Sequence, residues 1–331
     1  MGGKGVATVS HHCRLSSATV VLLIVIINVL SISGAAGVVW EQWWTYNGIS
    51  GTEFWGLFNP EWSMCSNGRR QSPINVEPDS LLFDPHLRYV HIDKATVSGH
   101  LKNSGHGVVF SISEEDRGRV NITGASLSYS YQLEEAHIHF GMRNTDGSEH
   151  QISGRAFPAE IQLVGFNAIY SNLTVASSKN HGVVVVSILV QHGTTPNPEL
   201  LRFTEASSAI PYRDDVVSLS NVTLSGLLPQ TEFYLTYEGS LTWPACFETV
   251  TWILMNKPIY ITVRQLEQLR TLSQSLVSET PKSPLGDNYR KPQPLYHRPV
   301  RTNIDFTGAE GASCPTMHED KHYVANRWLG T

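Results

Sequence analysis

The 331-residue sequence has no surplus of basic residues: 24 Lys and Arg stand against 29 Asp and Glu, a formal charge of -5. Without a positive field there is no counterion release to drive binding, so nucleic acid is excluded as a principal ligand. Beyond one stretch near the N-terminus, no segment approaches the ~20 apolar residues that a membrane-spanning helix requires. The polar C-terminus also lacks a lipid-anchor tail. Between about Trp44 and Phe306 there is no internal repeat, no low-complexity segment and no long Pro/Gly linker, so a solenoid or a chain of beads is excluded and one domain is expected.

What is present begins with Lys4 and Arg14, followed by the apolar run from Val20 to Leu30 and the small residues Ser33, Gly34, Ala35 and Ala36. That order predicts a secretory signal peptide over 1–36 and a secreted, extracellular mature protein, not an integral membrane protein. Three glycosylation sequons, at Asn121, Asn172 and Asn221, agree with that compartment. Of four cysteines, Cys13 leaves with the signal; Cys65, Cys246 and Cys314 remain. An odd count in an oxidising compartment predicts one pair and one thiol free for a partner.

Short alternating or β-branched runs recur at 108–113, 136–140, 160–166, 182–191 and 249–255, with turn residues such as Asn144-Thr145-Asp146-Gly147 between them. They predict a mainly β fold with one large sheet and few helices. One helix is expected after Thr262, where Gln265 completes a capping pattern ahead of Leu266, Leu269 and Leu272. The expected divisions are the signal peptide over 1–36, one domain over 37–307 and a tail over 308–331 that carries Cys314.

Within Glu135-Ala136-His137-Ile138-His139-Phe140, the two histidines are at i and i+2 of a strand-like run, so both rings share one face. Such a pair can chelate an ion, although the bare pattern also fits ordinary polar sheet positions. Its surroundings carry more. Gln71-Ser72-Pro73-Ile74, Asn103-Ser104-Gly105-His106, the His-x-His run, Gly147-Ser148-Glu149-His150, Tyr237-Glu238-Gly239-Ser240-Leu241-Thr242, Thr251-Trp252-Ile253 and Asn288-Tyr289-Arg290-Lys291-Pro292 occur in order along the chain. In these motifs the chain resembles the α-carbonic anhydrases.

The resemblance implies a large, mostly antiparallel twisted sheet with zinc at the base of a conical cleft, held by three histidines. Two of those positions are His137 and His139; the third, two residues after Glu160, is Gln162. A neutral amide oxygen is a poor donor for zinc, and catalytic zinc needs three protein ligands and an open position. No cofactor is therefore expected, with zinc at most at low occupancy. Glu135 replaces the glutamine that orients the first ligand, and Trp243 follows Thr242 where active members carry a small residue, which implies a plug in the substrate pocket. By resemblance Thr242 donates to Glu149, and His106 matches the proton-shuttle histidine with a pKa near neutrality. These three are relics on this reading, with no catalytic residue expected. The alternatives are a residual carbonate dehydratase, with Gln162, His150 or water completing the zinc shell, and a non-catalytic metal-binding module.

Extracellular members pair cysteines at the positions of Cys65 and Cys246. The tail with Cys314 and the terminal Asn326-Arg327-Trp328-Leu329 are similar to carbonic anhydrase-related proteins of the X and XI type. That branch implies an acatalytic protein whose partners are cell-surface proteins, the neurexins, engaged through a cysteine. Retention of His137, where vertebrate members have arginine, departs from the branch.

Overall fold

Residues with branched β-carbons pack well on a pleated surface, and in the computed structural model, which describes residues 43–306, they form the strands the sequence predicts. In chain order these are β1 Asn75–Val76, β2 Leu82–Phe83, β3 Val90–Ile92, β4 Val97–Asn103, β5 Val108–Ile112, β6 Asn121–Gly124, β7 Tyr131–Phe140 and β8 Gln151–Ile152. There follow β9 Ala159–Asn167, β10 Val183–His192, β11 Val216–Val222, β12 Tyr234–Gly239, β13 Val250–Met255, β14 Ile259–Ile261 and β15 Arg301–Thr302. Thirteen of them make one sheet with the main order β11-β4-β5-β7-β9-β10-β13-β12-β15-β2. Most pairings are antiparallel, while β10 runs parallel to β13 and β14, and β15 parallel to β2. The sheet is thus mostly antiparallel, as the resemblance implied, with parallel pairs at β10 and β15 that make it mixed.

The centre is set by Val183-Val184-Val185-Val186, a run with no polar face that has to be covered on both sides. Alternation then divides the interior. Val184, Val186 and Ile188 of β10, Ile161 and Leu163 of β9, and Ala136 and Ile138 of β7 join one core cluster. Two helices cover that side, Pro198–Ala206 with Leu200 and Phe203, and Val263–Arg270 with Leu266 and Leu269. Thr262 and Gln265 form the expected capping box. The helix Pro198–Ala206 adds to the expectation; its Asn197 cap accepts from Leu200 N, and proline occupies the first turn.

On the opposite face Val164, Val183, Val185, Leu189, Tyr237, Trp252 and Leu254 form a second cluster. The same face carries His137, His139, Glu160, Gln162 and Ser187, and its register makes them neighbours: His137 lies opposite Gln162, His139 opposite Glu160, and Gln162 opposite Ser187. A register shift between Leu133 and Glu135 precedes the histidines. Such a bulge re-aims the residues that follow it.

Cys65 and Cys246 are bonded, with Cα atoms 5.0 Å apart across 181 residues of chain. Around the bond pack Trp55 and Trp62, with Trp44 and Tyr46 against them. Buried Arg290 fastens this corner to the sheet: its Nη1 donates to Gln71 Oε1 at 2.8 Å and Ser72 O at 2.9 Å, and its Nη2 to Cys65 O at 3.0 Å. Burial pushes its guanidinium down to about 10 despite the favourable charges of Glu149 and Tyr46.

Of the sequon residues, Asn221 is exposed on β11 with φ 55. Asn172 caps the helix Leu173–Ser177 through its side-chain oxygen, and the Asn121 amide nitrogen donates to Asp93 Oδ2 at 3.0 Å. Among the described residues no helix is long and apolar enough to cross a membrane. The predicted signal peptide over 1–36 and the tail over 308–331 with Cys314 lie outside the described residues.

Because the disulfide closes a very long loop, Cys65→Ser should lower unfolding free energy by about 2–5 kcal/mol. Urea melts of the variant and the oxidised wild type check this; coincident midpoints would show that the bond constrains little.

Candidate metal centre

The site is built on β7 and β9, and each side chain on it is answered by a specific partner. His137 is half-buried, and its Nε2 donates to Glu135 Oε2 at 2.8 Å. Burial alone would raise the Glu135 carboxyl; the hydrogen bond and charge of His137 outweigh it and the net direction is down. The carboxylate therefore orients the first imidazole, as the expected glutamine replacement requires. His139 is buried, and its Nδ1 donates to Asn288 O at 2.6 Å, which leaves the lone pair on Nε2. That Nε2 has no hydrogen-bond partner among the described residues.

Gln162 is fully buried, and its amide nitrogen donates twice, to Glu149 Oε2 at 2.7 Å and to Glu160 Oε1 at 3.0 Å. Its Oε1 is without a partner among the described residues. The donor set does not fit a catalytic zinc: one imidazole is bonded through Nε2 to a carboxylate, and the third position is an amide turned toward two anions. Among the described residues no group of three or more His, Cys, Asp or Glu is arranged to hold a metal.

Glu160 is the most heavily bonded group of the site. Its carboxylate, wholly buried, accepts from the backbone N–H of Glu149 and of His150, from His150 Nδ1, from Gln162 Nε2 and from Ser187 Oγ, at 2.7 to 3.0 Å. Burial pushes its pKa up, but the charge and ring bond of His150 and the backbone donors prevail and hold it down to about 2. A carboxylate that accepts several N–H bonds behaves this way. His150 continues the network, since its Nε2 shares a 2.8 Å bond with the Tyr237 hydroxyl, which donates to Ser72 Oγ at 3.0 Å. Both ring nitrogens of His150 are engaged, so this histidine is not a substitute third ligand.

Two expectations are corrected. Thr242 does not donate to Glu149: its Oγ1 is buried without a partner among the described residues, while Glu149 accepts from Gln162 Nε2 and from Arg290 N at 2.9 Å. The stronger claim on that carboxylate comes from the amide that the histidine position now supplies. Nor is His106 poised near neutrality. Its ring stacks on Trp44 with centroids 3.8 Å apart and planes 5° from parallel, and burial, aided by the Arg213 charge, lowers its pKa to about 4. His106 lines a cavity of about 220 Å³ with Tyr46, Met142, Asp287 and Asn288.

Trp243 stands beside the first histidine, indole to imidazole, with centroids 5.0 Å apart and planes inclined by 35°. It packs half-buried on the second core cluster. The sequence motifs contained the residues of the wider network without revealing it. Arg290, Tyr237 and Ser72 appeared only as landmarks of resemblance, and no local signal marks a carboxylate as the hub of bonds from five directions.

The Glu160 contribution has a defined pH window. Its carboxyl is lowered from the ordinary 4.5 to about 2, so the stabilisation is complete above about pH 4.5 and is lost as pH falls toward 2. Glu160→Gln should be less stable at pH 7 and should show a flatter loss between pH 4.5 and 2.5, read from urea midpoints. Parallel pH profiles for the two proteins would remove Glu160 from the account.

The model of the eukaryotic-type carbonic anhydrase family matches residues 50–304. A Caenorhabditis elegans protein named carbonic anhydrase-like protein 2 is 39% identical over 290 residues, covering 85% of this chain and 86% of that protein. With the sheet, the ordered motifs and the matched span in agreement, the chain belongs to the eukaryotic-type carbonic anhydrase family.

Proposed function

We propose that this protein is a secreted, acatalytic carbonic anhydrase-related protein that binds or modulates cell-surface proteins. One observation carries the acatalytic part: at the third ligand position stands Gln162, whose amide nitrogen faces Glu149 and Glu160 and whose oxygen is a weak zinc donor. Trp243 against His137 and the unpaired Thr242 hydroxyl support it, since a hydrating site needs both substrate space and an oriented hydroxide. The C. elegans relative is itself named carbonic anhydrase-like.

The outward-directed role rests on the sequence: the signal-like N-terminus, the three sequons and Cys314 in the tail. The X/XI-type branch supplies the partner class, a neurexin-like cell-surface protein joined through that cysteine. A second reading, a non-catalytic ion at His137 and His139, is favoured by the buried, unpartnered His139 Nε2 and Gln162 Oε1.

Protein purified without chelator or added zinc should contain well below one equivalent of metal by mass spectrometry and should not hydrate carbon dioxide. Stoichiometric zinc together with hydration would overturn the acatalytic reading. Zinc without hydration would favour the ion module. Gln162→His with Trp243→Thr should gain hydration; recovery with Gln162→His alone would refute the plug.

Cells expressing wild type should yield a covalent complex on nonreducing gels that disappears in Cys314→Ser. The same bands from both proteins would remove the thiol from the partner mechanism.

A further inference from the structure

We infer that Gln162 is a hydrogen-bond lock that takes over the metal's structural task, so that the domain folds and stays closed without an ion. This inference rests on the acatalytic reading and deepens it. Glu149 and Glu160 are both wholly buried, and each belongs to a different part of the fold. Glu160 is on β9, whereas Glu149 is in the Gly147-Ser148-Glu149-His150 segment that precedes β8. Two buried carboxylates in proximity repel unless donors stand between them. Gln162 supplies both protons of one NH2 group to that gap, 2.7 Å to Glu149 and 3.0 Å to Glu160.

The remaining donors are divided unequally. Glu160 keeps His150, Ser187 and two backbone N–H groups without the glutamine. Glu149 has, beyond Gln162, the backbone N–H of Arg290 at 2.9 Å, with His139 Nδ1 farther off at 3.8 Å. Glu149 therefore depends on the amide, and through Arg290 it is coupled to the corner that holds Cys65 and Trp55. A histidine at 162 has at most two ring N–H groups on opposite edges, and a single imidazole nitrogen cannot donate to both carboxylates as the amide does. The same contact explains the isolated Thr242 hydroxyl. The amide has claimed the carboxylate that the hydroxyl would otherwise meet.

The test uses the full mature chain and follows thermal unfolding with and without chelator or zinc. For wild type, Tm should move by less than about 1 °C in either condition, because Gln162 already supplies donors to both carboxylates. Gln162→Met keeps the length and removes both donors, and should lower Tm by at least about 5 °C, as loss of charge-assisted bonds in a domain of this size implies. The Gln162→Met loss should shrink in a Glu149→Gln background, where there is no second anion to bridge. Gln162→His should melt below wild type in chelator and regain at least about 3 °C in excess zinc. That reversal of metal dependence is a signature that an ordinary packing defect would not produce.

If Gln162→Met melts with wild type, or loses as much with Glu149→Gln as without it, the lock is wrong while the acatalytic reading stands. If chelator strips stoichiometric zinc from wild type and lowers its Tm, the lock falls, and the acatalytic reading falls with it only if that zinc-loaded protein also hydrates carbon dioxide. Should Gln162→Met fail to accumulate, the chelator and zinc melts of Gln162→His decide the matter: a metal-insensitive Tm equal to wild type overturns the lock.

Discussion

The buried Glu160 carboxylate is the constraint on which the site depends. An ionised group with no solvent exposure is tolerable only when donors surround it, and here β9, β10 and the Ser148-Glu149-His150 segment each send at least one. Satisfying that charge fixes how closely those elements approach and how the His150 ring lies. The Tyr237 hydroxyl and Ser72 follow, because each needs a partner once His150 is fixed. A polar network reaching across the second face of the sheet is thus organised around one carboxylate.

The same carboxylate is a partner for whatever stands at position 162. In a family whose active members place an imidazole there, Glu160 would orient a ligand; with glutamine it accepts an amide N–H, and the amide turns to Glu149 as well. Gln162 therefore bears on three features of the site. It puts an amide where active members have an imidazole, it engages Glu149, and Thr242 Oγ1 is without a partner among the described residues. Trp243 against His137 and the stacked pair Trp44 and His106 extend the pattern outward, with aromatic rings packed on the two histidines. The two cores, the disulfide and the donors around Glu160 are all supplied by the protein's own groups.

Much of the fold was legible in residue order. The β-branched runs at 108–113, 160–166 and 182–191 became β5, β9 and β10 within a residue or two, since alternation marks a strand with unlike faces and a short unbroken apolar run between turn residues marks one buried on both. Thr262 with Gln265 marked a helix start because capping is a local interaction between residues three apart. The parallel pairing of β10 with β13 was not legible, nor was the bulge between Leu133 and Glu135, since both depend on a strand distant in sequence. The Cys65–Cys246 pairing came from resemblance, and their sequence separation of 181 shows why no local pattern would give it.

By itself the sequence determined the family motifs, the paired histidines on one strand face and the glutamine where a third would stand, because side-chain identity and strand periodicity are local properties. Only the tertiary structure decided what those residues do to one another. It brought Gln162 between Glu149 and Glu160, closed both nitrogens of His150, withdrew Thr242 from Glu149 and buried His106 against Trp44. Hydrogen bonds and desolvation act through distances in space, and those distances are set by the register of strands far apart in the chain.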